Sequence, residues 1–338
     1  MSADYLKRGT AMRWTRWAAI LACWTLAPGA WGQLPDAARN GYPGKPVRVI
    51  VPLAPGGGSD IVARIAGAAL AERWKQAVVI DNRPGAGTVV GTGIAAKAPS
   101  DGYTLLVSSS SIAITPALYK DTGFDIQRDF DAVSLLASQP SILAVHPSLP
   151  AASVKELVAL MKSRPGQYRF GSAGQGSASH LANELLVHAA RVEAVHVPYK
   201  SAGLAATALL SGEVQFMLTN TATALPQVKA GKVKALAVSG AGRSKLAPEL
   251  PTIAEAGLPG FEYITWYGML TPAGVAKPVL AGIHRDLSDL AAQPAVRDRF
   301  SSQGLDFRPT SPPEFASYLK TEIAKWEKVV REARISRP

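Results

Sequence analysis

Val47-Arg48-Val49-Ile50-Val51-Pro52-Leu53-Ala54-Pro55-Gly56-Gly57-Gly58-Ser59-Asp60 is the stretch whose reading decides the fold. Its first half is a β-branched run of the kind that forms a buried strand. Its second half is a proline–glycine corner, after which Ser59 is placed to N-cap a helix over Asp60-Ile61-Val62-Ala63-Arg64-Ile65-Ala66. A strand running through a glycine corner into a helix opens a β-α unit. The pattern then repeats: Val78-Val79-Ile80 predicts a strand, Asn82 to Gly87 a corner, and a helix carrying Ala95 and Ala96 follows. Thr104-Leu105-Leu106-Val107 predicts a third strand, ending in the serine run Ser108 to Ser111. This order implies a mostly parallel sheet with right-handed crossovers.

The pattern restarts near Ser141. Leu143-Ala144-Val145 predicts a strand, and Ser153 to Lys162 a helix opened by the capping box Ser153/Glu156. Tyr168-Arg169-Phe170 runs into the second glycine corner, Gly171 to Ser177, and a helix over about 179–189. Further strands are expected at Ala194 to Val197, Val214 to Leu218 and Ala235 to Val238. A last helix starts at the box Ser311/Glu314, with Phe315, Leu319, Ile323, Trp326 and Val330 on one face and Lys325, Lys328, Arg331 and Arg334 towards its C-terminal end. Such a face is expected to pack on the body of the protein.

Composition bounds the class. The chain has 338 residues, 47% hydrophobic and 18% charged, too long for one ordinary core and too apolar for disorder. Its formal charge of +11 is raised by the N-terminus. There Lys7, Arg8, Arg13 and Arg16 precede an apolar run from Trp17 to Ala27, too short to span a bilayer, and Ala30-Trp31-Gly32 offers small residues for cleavage. Residues 1–32 therefore read as an export signal, in which Met12 offers a second possible start. Cleavage leaves 306 residues and a charge of +8, scattered without a basic stripe, so no nucleic-acid partner is expected. Cys23, the one cysteine, is read as discarded with the signal. Ile20-Leu21-Ala22-Cys23 loosely resembles a lipobox, but the apolar run continues past it. No disulfide framework remains.

The two glycine corners carry the chemistry. Each aims backbone N–H groups at one place, where they carry partial positive charge and suit a carboxylate, phosphate or sulfate. A tight turn is the plain alternative for either corner alone; the matched pair points to a site. Nucleotide motifs fit poorly. No Lys follows Gly58, and Gly91-Thr92-Gly93-Ile94-Ala95-Ala96 lies beyond its strand with no acid about 20 positions on. No G-x-S-x-G elbow occurs. His180, Glu184 and His188 share a helix face without H-E-x-x-H spacing or a fourth ligand, so no metal or cofactor is assigned. Glu184 is read as a partner for His180 or His188, and His180 as able to donate to an anion at the corner.

Tyr42-Pro43-Gly44-Lys45-Pro46 leading into VRVIVPLAPGGGSDIVAR (47–64) and DNRPGAG (81–87) resembles the Bug-type extracytoplasmic receptors of tripartite tricarboxylate transporters. The resemblance continues through APSDGYTLLVSSS (98–110), RDFDAVSLLA (128–137), FGSAGQGSASHLANELL (170–186), VHVPYKSAG (195–203), ALPQVKAGKVKALAVSGAGRS (224–244) and PTIAEAGLPGFEYITWYGMLTPAG (251–274). It implies an α/β fold like that of two-lobed periplasmic binding proteins, with a small carboxylate held between lobes and no catalysis. Lobe 1 would comprise residues 43–139 and 265–338 and lobe 2 residues 140–264, hinged on two crossing strands. Carried over by motif, Ala54, Pro55, Gly56, Gly57, Gly58 and Ser59 form one jaw. Gly174, Gly176, Ser177, Ser179 and His180 form the other. Ser109, Ser110, Tyr199, Thr219 and Asn220 complete the wall. A monomer in the periplasm is expected, partnered by a membrane permease or a sensor. A hydrolase or isomerase in the same cleft is the alternative. Family members often read V-D-L-M-F-D-N where this chain has Val214-Gln215-Phe216-Met217-Leu218-Thr219-Asn220, which implies a ligand without an ammonium group.

Overall fold

The computed structural model describes residues 41–332. The export signal with Cys23 and Met12, and Arg334 of the last helix, lie outside the described residues.

Among the described residues ten strands form one continuous array, which divides into two sheets sharing a single strand. In the first sheet β1 (Val47–Val51) lies between β2 (Val78–Asn82) and β3 (Thr104–Ser109), both parallel to it. The strand β4 (Phe130–Val145) is 16 residues long, and a single strand stands where the sequence suggested a break near Ser141. Its first half pairs with β9 (Ile264–Pro272), which also pairs with β3, and with the short β10 (Asp306–Phe307); all three pairings are antiparallel. Its second half enters the other sheet and pairs antiparallel with β7 (Phe216–Asn220) and β8 (Lys234–Val238). There β5 (Arg169–Ser172) lies parallel to β6 (Val195–Pro198) and to β7. Parallel pairing is thus confined to the strands of the β-α units, and the strands that join the sheets are antiparallel.

Pro140 sits where β4 changes partners, between its last pairing with β9 and its first with β7, at Ser141. A residue without an N–H is tolerated at such a change of ladder. Around the sheets pack α1 (Gly58–Trp74), α2 (Val89–Ala96) behind a 3-10 turn at Ala86–Thr88, α3 (Ser111–Leu118), and the four-residue α4 (Ile126–Asp129). Then come α5 (Val154–Ser163), α6 (Ala178–Ala190), α7 (Ala202–Ser211), α8 (Thr221–Lys229), α9 (Lys277–Ala292), α10 (Pro294–Ser301) and α11 (Pro312–Glu332).

The apolar face read on α11 is the buried one. Phe315, Leu319, Ile323, Trp326 and Val330 are all buried in a core shared with α3, β4 and the first helix of the second half, α5. Both proposed boxes form with altered partners. Ser153 Oγ accepts from the Glu156 N–H at 3.2 Å, while Glu156 reaches back to the N–H of Ala152. At α11 the Glu314 carboxylate accepts from both the N–H and the hydroxyl of Ser311. One cap is corrected: α1 begins at Gly58, its N-cap is Gly57, and Ser59 lies inside the first turn. The Gly91 motif belongs to α2, where a Cβ would meet the Arg83 carbonyl and Pro52, so that glycine serves close packing of helix on strand.

Candidate functional site

Five of the β-α units end their strands at one common cleft and start their helices there; β2 and α2 stand apart from it. From β1 come Leu53 and Ala54, followed by Gly57, Gly58 and Ser59 at the start of α1. From β3 come Ser109 and then Ser111 at the start of α3. The second sheet supplies Ala173, Ser177, Ala178 and Ser179 at the start of α6, Lys200, Ser201 and Ala202 at α7, and Thr219 and Asn220 at α8. Ser141, Thr265 and Tyr267 reach it from the joining strands β4 and β9. The cleft holds about 550 Å³ of space open to solvent. Ligand sites in open α/β sheets form at these strand ends.

Five helix N-termini therefore converge on one volume. Their leading N–H groups have no partner within the helix, and together with the peptide dipoles they make the cleft electropositive. The N–H groups of Gly58, Ser59, Ser179 and Ala202 find no acceptor among the described residues. Two hydroxyls face each other's halves in the same condition: Ser59 Oγ and Thr219 Oγ1 are buried and have no hydrogen-bond partner. An unpartnered buried polar group costs about 1–3 kcal/mol, and at a cleft wall it is a group kept for a guest. Among the lining residues Lys200 is the one charged side chain, and no Asp or Glu is present.

Tyr267 is buried at the floor. Its Oη accepts from Gln139 Nε2 at 2.8 Å, which leaves the phenol proton free to donate. Burial pushes that phenol well above its ordinary value, outweighing Gln139, so it stays protonated. The two halves meet beside it. Ala178 N–H donates to Ser111 Oγ at 2.8 Å, Ser111 Oγ lies 2.9 Å from Ser109 Oγ, and Tyr263 Oη donates to the Ala178 carbonyl at 3.0 Å.

Of the residues expected at the site, Ala54, Gly57, Gly58, Ser59, Ser109, Ser177, Ser179, Thr219 and Asn220 line the cleft. Pro55 and Gly56 form the turn before α1; the Gly56 N–H is held by Asp60 Oδ2 at 3.0 Å and does not line the cleft. Gly174 and Gly176 also stand behind the wall. The Gly174 N–H goes to Ser172 Oγ at 3.1 Å and the Gly176 N–H to His180 Nδ1 at 3.2 Å, so neither is offered to a ligand. His180 thus accepts from the corner instead of donating to an anion. Its Nε2 meets Glu184 at 3.4 Å, the pairing expected from their spacing. Ser110 turns away towards Tyr263 Oη at 3.4 Å. The Tyr199 ring packs against the core under α7, and burial pushes its phenol up to about 12.

Lys200, Ser201 and Ala202 were not among the expected residues. Ser201 before a small-residue run, three positions after Pro198, is an N-cap signal that could have found α7; its Oγ accepts from Leu204 N–H at 3.2 Å. Tyr267, Thr265 and Ser141 carry no such signal, because only the crossing of β4 and β9 brings them to the cleft.

Two sheets built of β-α units, joined by a strand that runs through both and opening a cleft at the helix N-termini, define a two-lobed periplasmic binding protein. The family model described as the tripartite tricarboxylate transporter family receptor matches residues 62–335, and the chain belongs to that family. Protein BugT of Bordetella pertussis is 34% identical over 293 residues, 86% of this chain and 90% of BugT. Among solved structures, Rpa4515 of R. palustris with adipate superposes with a TM-score of 0.84 at 33% identity, covering 88% of this chain and all of that one. MatC from Rhodopseudomonas palustris with bound malate has a TM-score of 0.81 at 33% identity, with 86% and 100% covered.

Proposed function

We propose that this chain is an extracytoplasmic receptor that captures a small carboxylate between its lobes and releases it unchanged. The observation that carries this reading is the convergence of five helix N-termini on a cleft whose lining holds one lysine and no acid. The adipate and malate held by two relatives of the same fold support it. The nine lining residues expected from sequence, together with Lys200, Ser201 and Tyr267, would form the ligand contacts. Residues 1–32 would direct export. Residues 43–139 with 265–338 would close on 140–264 about β4 and β9, and a membrane permease of the tripartite transporter or a sensor would read the closed form.

Calorimetry with adipate and malate, set against their uncharged diamides, tests the reading. At least one diacid should bind while its diamide does not, and the bound acid should be recovered intact. Equal affinity for acid and diamide would overturn the anion site. Turnover of the ligand would overturn the receptor role.

A further inference from the structure

The corner Gly174-Gln175-Gly176-Ser177 is built on two stacked imidazoles. Ser177 N-caps α6, its Oγ accepting from the His180 N–H at 3.2 Å. From the third helical position the His180 side chain reaches back, Nδ1 accepting from the N–H of Gly176. This is close to the geometry of a capping box, with histidine where glutamate or glutamine ordinarily stands and the N–H one residue before the N-cap as its partner. The second ring, His196 of β6, stacks on the first with centroids 3.9 Å apart and planes 22° apart. Its Nε2 lies 2.6 Å from Ser172 Oγ, the hydroxyl that accepts from Gly174 N–H. One ring thus holds Gly176 directly, and the other holds Gly174 through a serine.

We propose that His180 and His196 are positioning residues for the cleft: as neutral rings they hold the Gly174–Ser177 corner in its ligand-receiving shape, and a proton placed on Nδ1 of His180 releases it. The inference rests on the anion reading of the cleft above. An imidazole nitrogen accepts a hydrogen bond only while it is unprotonated. Once protonated, Nδ1 and the Gly176 amide are two donors facing each other. Positive charge at a helix N-terminus is also unfavourable.

The groups facing the pair are few. Along α6 it meets the Glu184 carboxylate, 3.4 Å from Nε2 of His180. From β5 it meets the Ser172 hydroxyl and the face of Phe170, stacked 5.1 Å from His196. From β7, which packs on both α6 and β5, no residue is titratable. Burial first, and His180 second, hold His196 down at about 3, so that ring remains neutral. His180 is then the switch, and acid acts on the corner through it. Gly176, at φ +75°, lies against Leu118 and Tyr119 of α3 and its C-cap, so release of the corner also loosens the contact between the halves.

The test has two arms on the full mature chain. In the first, nitrogen NMR of the unliganded protein is followed from pH 8 to pH 4.5. His180 should carry its neutral proton on Nε2, and the Gly176 amide should shift with the same midpoint as the ring. A proton on Nδ1 at neutral pH, or a Gly176 amide that ignores the titration, overturns the assignment. In the second, malate binding is measured from pH 7.5 to pH 5 in the unmodified protein, His180→Gln and His180→Leu. The unmodified protein should weaken on the order of tenfold beyond any change seen in His180→Gln, whose amide oxygen accepts without titrating. His180→Leu should bind about tenfold or more weakly at every pH, and glutamine should recover part of that loss. Parallel profiles in the unmodified protein and His180→Gln refute the switch. If malate and adipate bind at no pH, the carboxylate reading fails and the NMR arm alone decides the role of His180.

Discussion

Gly57 and Gly58 are neighbours in one corner, yet a methyl group should act on them in opposite ways. At Gly58 an added Cβ would lie against the Tyr267 hydroxyl, 2.7 Å from Cζ and 3.0 Å from Cε1. The ring is buried and tied to Gln139, so relief requires Tyr267 to move and its hydrogen bond to break. Overpacking of this kind costs about 1–3 kcal/mol, and the lost bond about 1 kcal/mol more. Alanine returns at most about 1 kcal/mol of helix propensity. Gly58→Ala should therefore lose about 1–3 kcal/mol, a fall in Tm of roughly 2–5 °C. At Gly57, φ is −85° and the nearest atom to an added Cβ is the Ala54 carbonyl at 3.7 Å, so the methyl projects into the cleft. Gly57→Ala should keep its stability within about 1 kcal/mol and lose about tenfold in affinity for the bound diacid. Thermal unfolding and calorimetry on both variants separate the effects. Equal destabilisation, or an unmoved Tm in Gly58→Ala, would refute the geometry.

Thr219→Asp should weaken dicarboxylate binding by about a hundredfold, since a carboxylate about 5–6 Å from the bound anion costs about 3 kcal/mol at the intermediate dielectric of a partly buried site. Competition between succinate and aspartate should favour succinate in the unmodified protein and shift towards aspartate in the variant; a preference for aspartate at the outset would sink the argument. Asn183→Ala should destabilise the chain by about 2–3 kcal/mol in urea unfolding, because the buried amide exchanges hydrogen bonds with the N–H and carbonyl of Leu218 and a third with the Ser179 carbonyl. Asp60 is pushed up by burial but held lower overall by Arg64, the Gly56 N–H and Asn82. Its stabilisation is thus present at neutral pH and lost as pH falls below 3.8, the unfolded value, through the lower folded one. Asp60→Asn should be about 1–2 kcal/mol less stable at pH 7, with the gap closing in acid; a gap constant down to pH 2 would contradict this.

The order of β-α units was legible because each strand is a short apolar run, β-branched in β1 and β2, and its corner is marked by glycine, proline or serine. What sequence misjudged follows from the same marks. Pro140 and Ser141 looked like a break, whereas a strand changing its ladder tolerates a proline there. Gly174 and Gly176 looked like ligand contacts, but their φ values of +119° and +75° show that glycine is needed for the turn itself, with the wall built by the serines that follow. His180 looked like a donor, since nothing in a one-dimensional string shows which atom its ring faces. Tyr267 was unreadable, as its partner Gln139 lies 128 positions away.

The length of β4 bears on how such a protein can be taken apart. Its first half hydrogen-bonds into one sheet and its second half into the other, with the change falling between Pro140 and Ser141, so any cut between lobes severs one continuous strand. A second-lobe piece made without Ser141–Val145 would strip β7 and β8 of their shared neighbour and expose two strand edges to stray pairing. Exchanging lobes between relatives as cassettes should therefore give aggregating products unless β4 travels whole and the receiving sheet keeps its register. The strand shared by the two sheets thus binds the two halves into a single unit of inheritance.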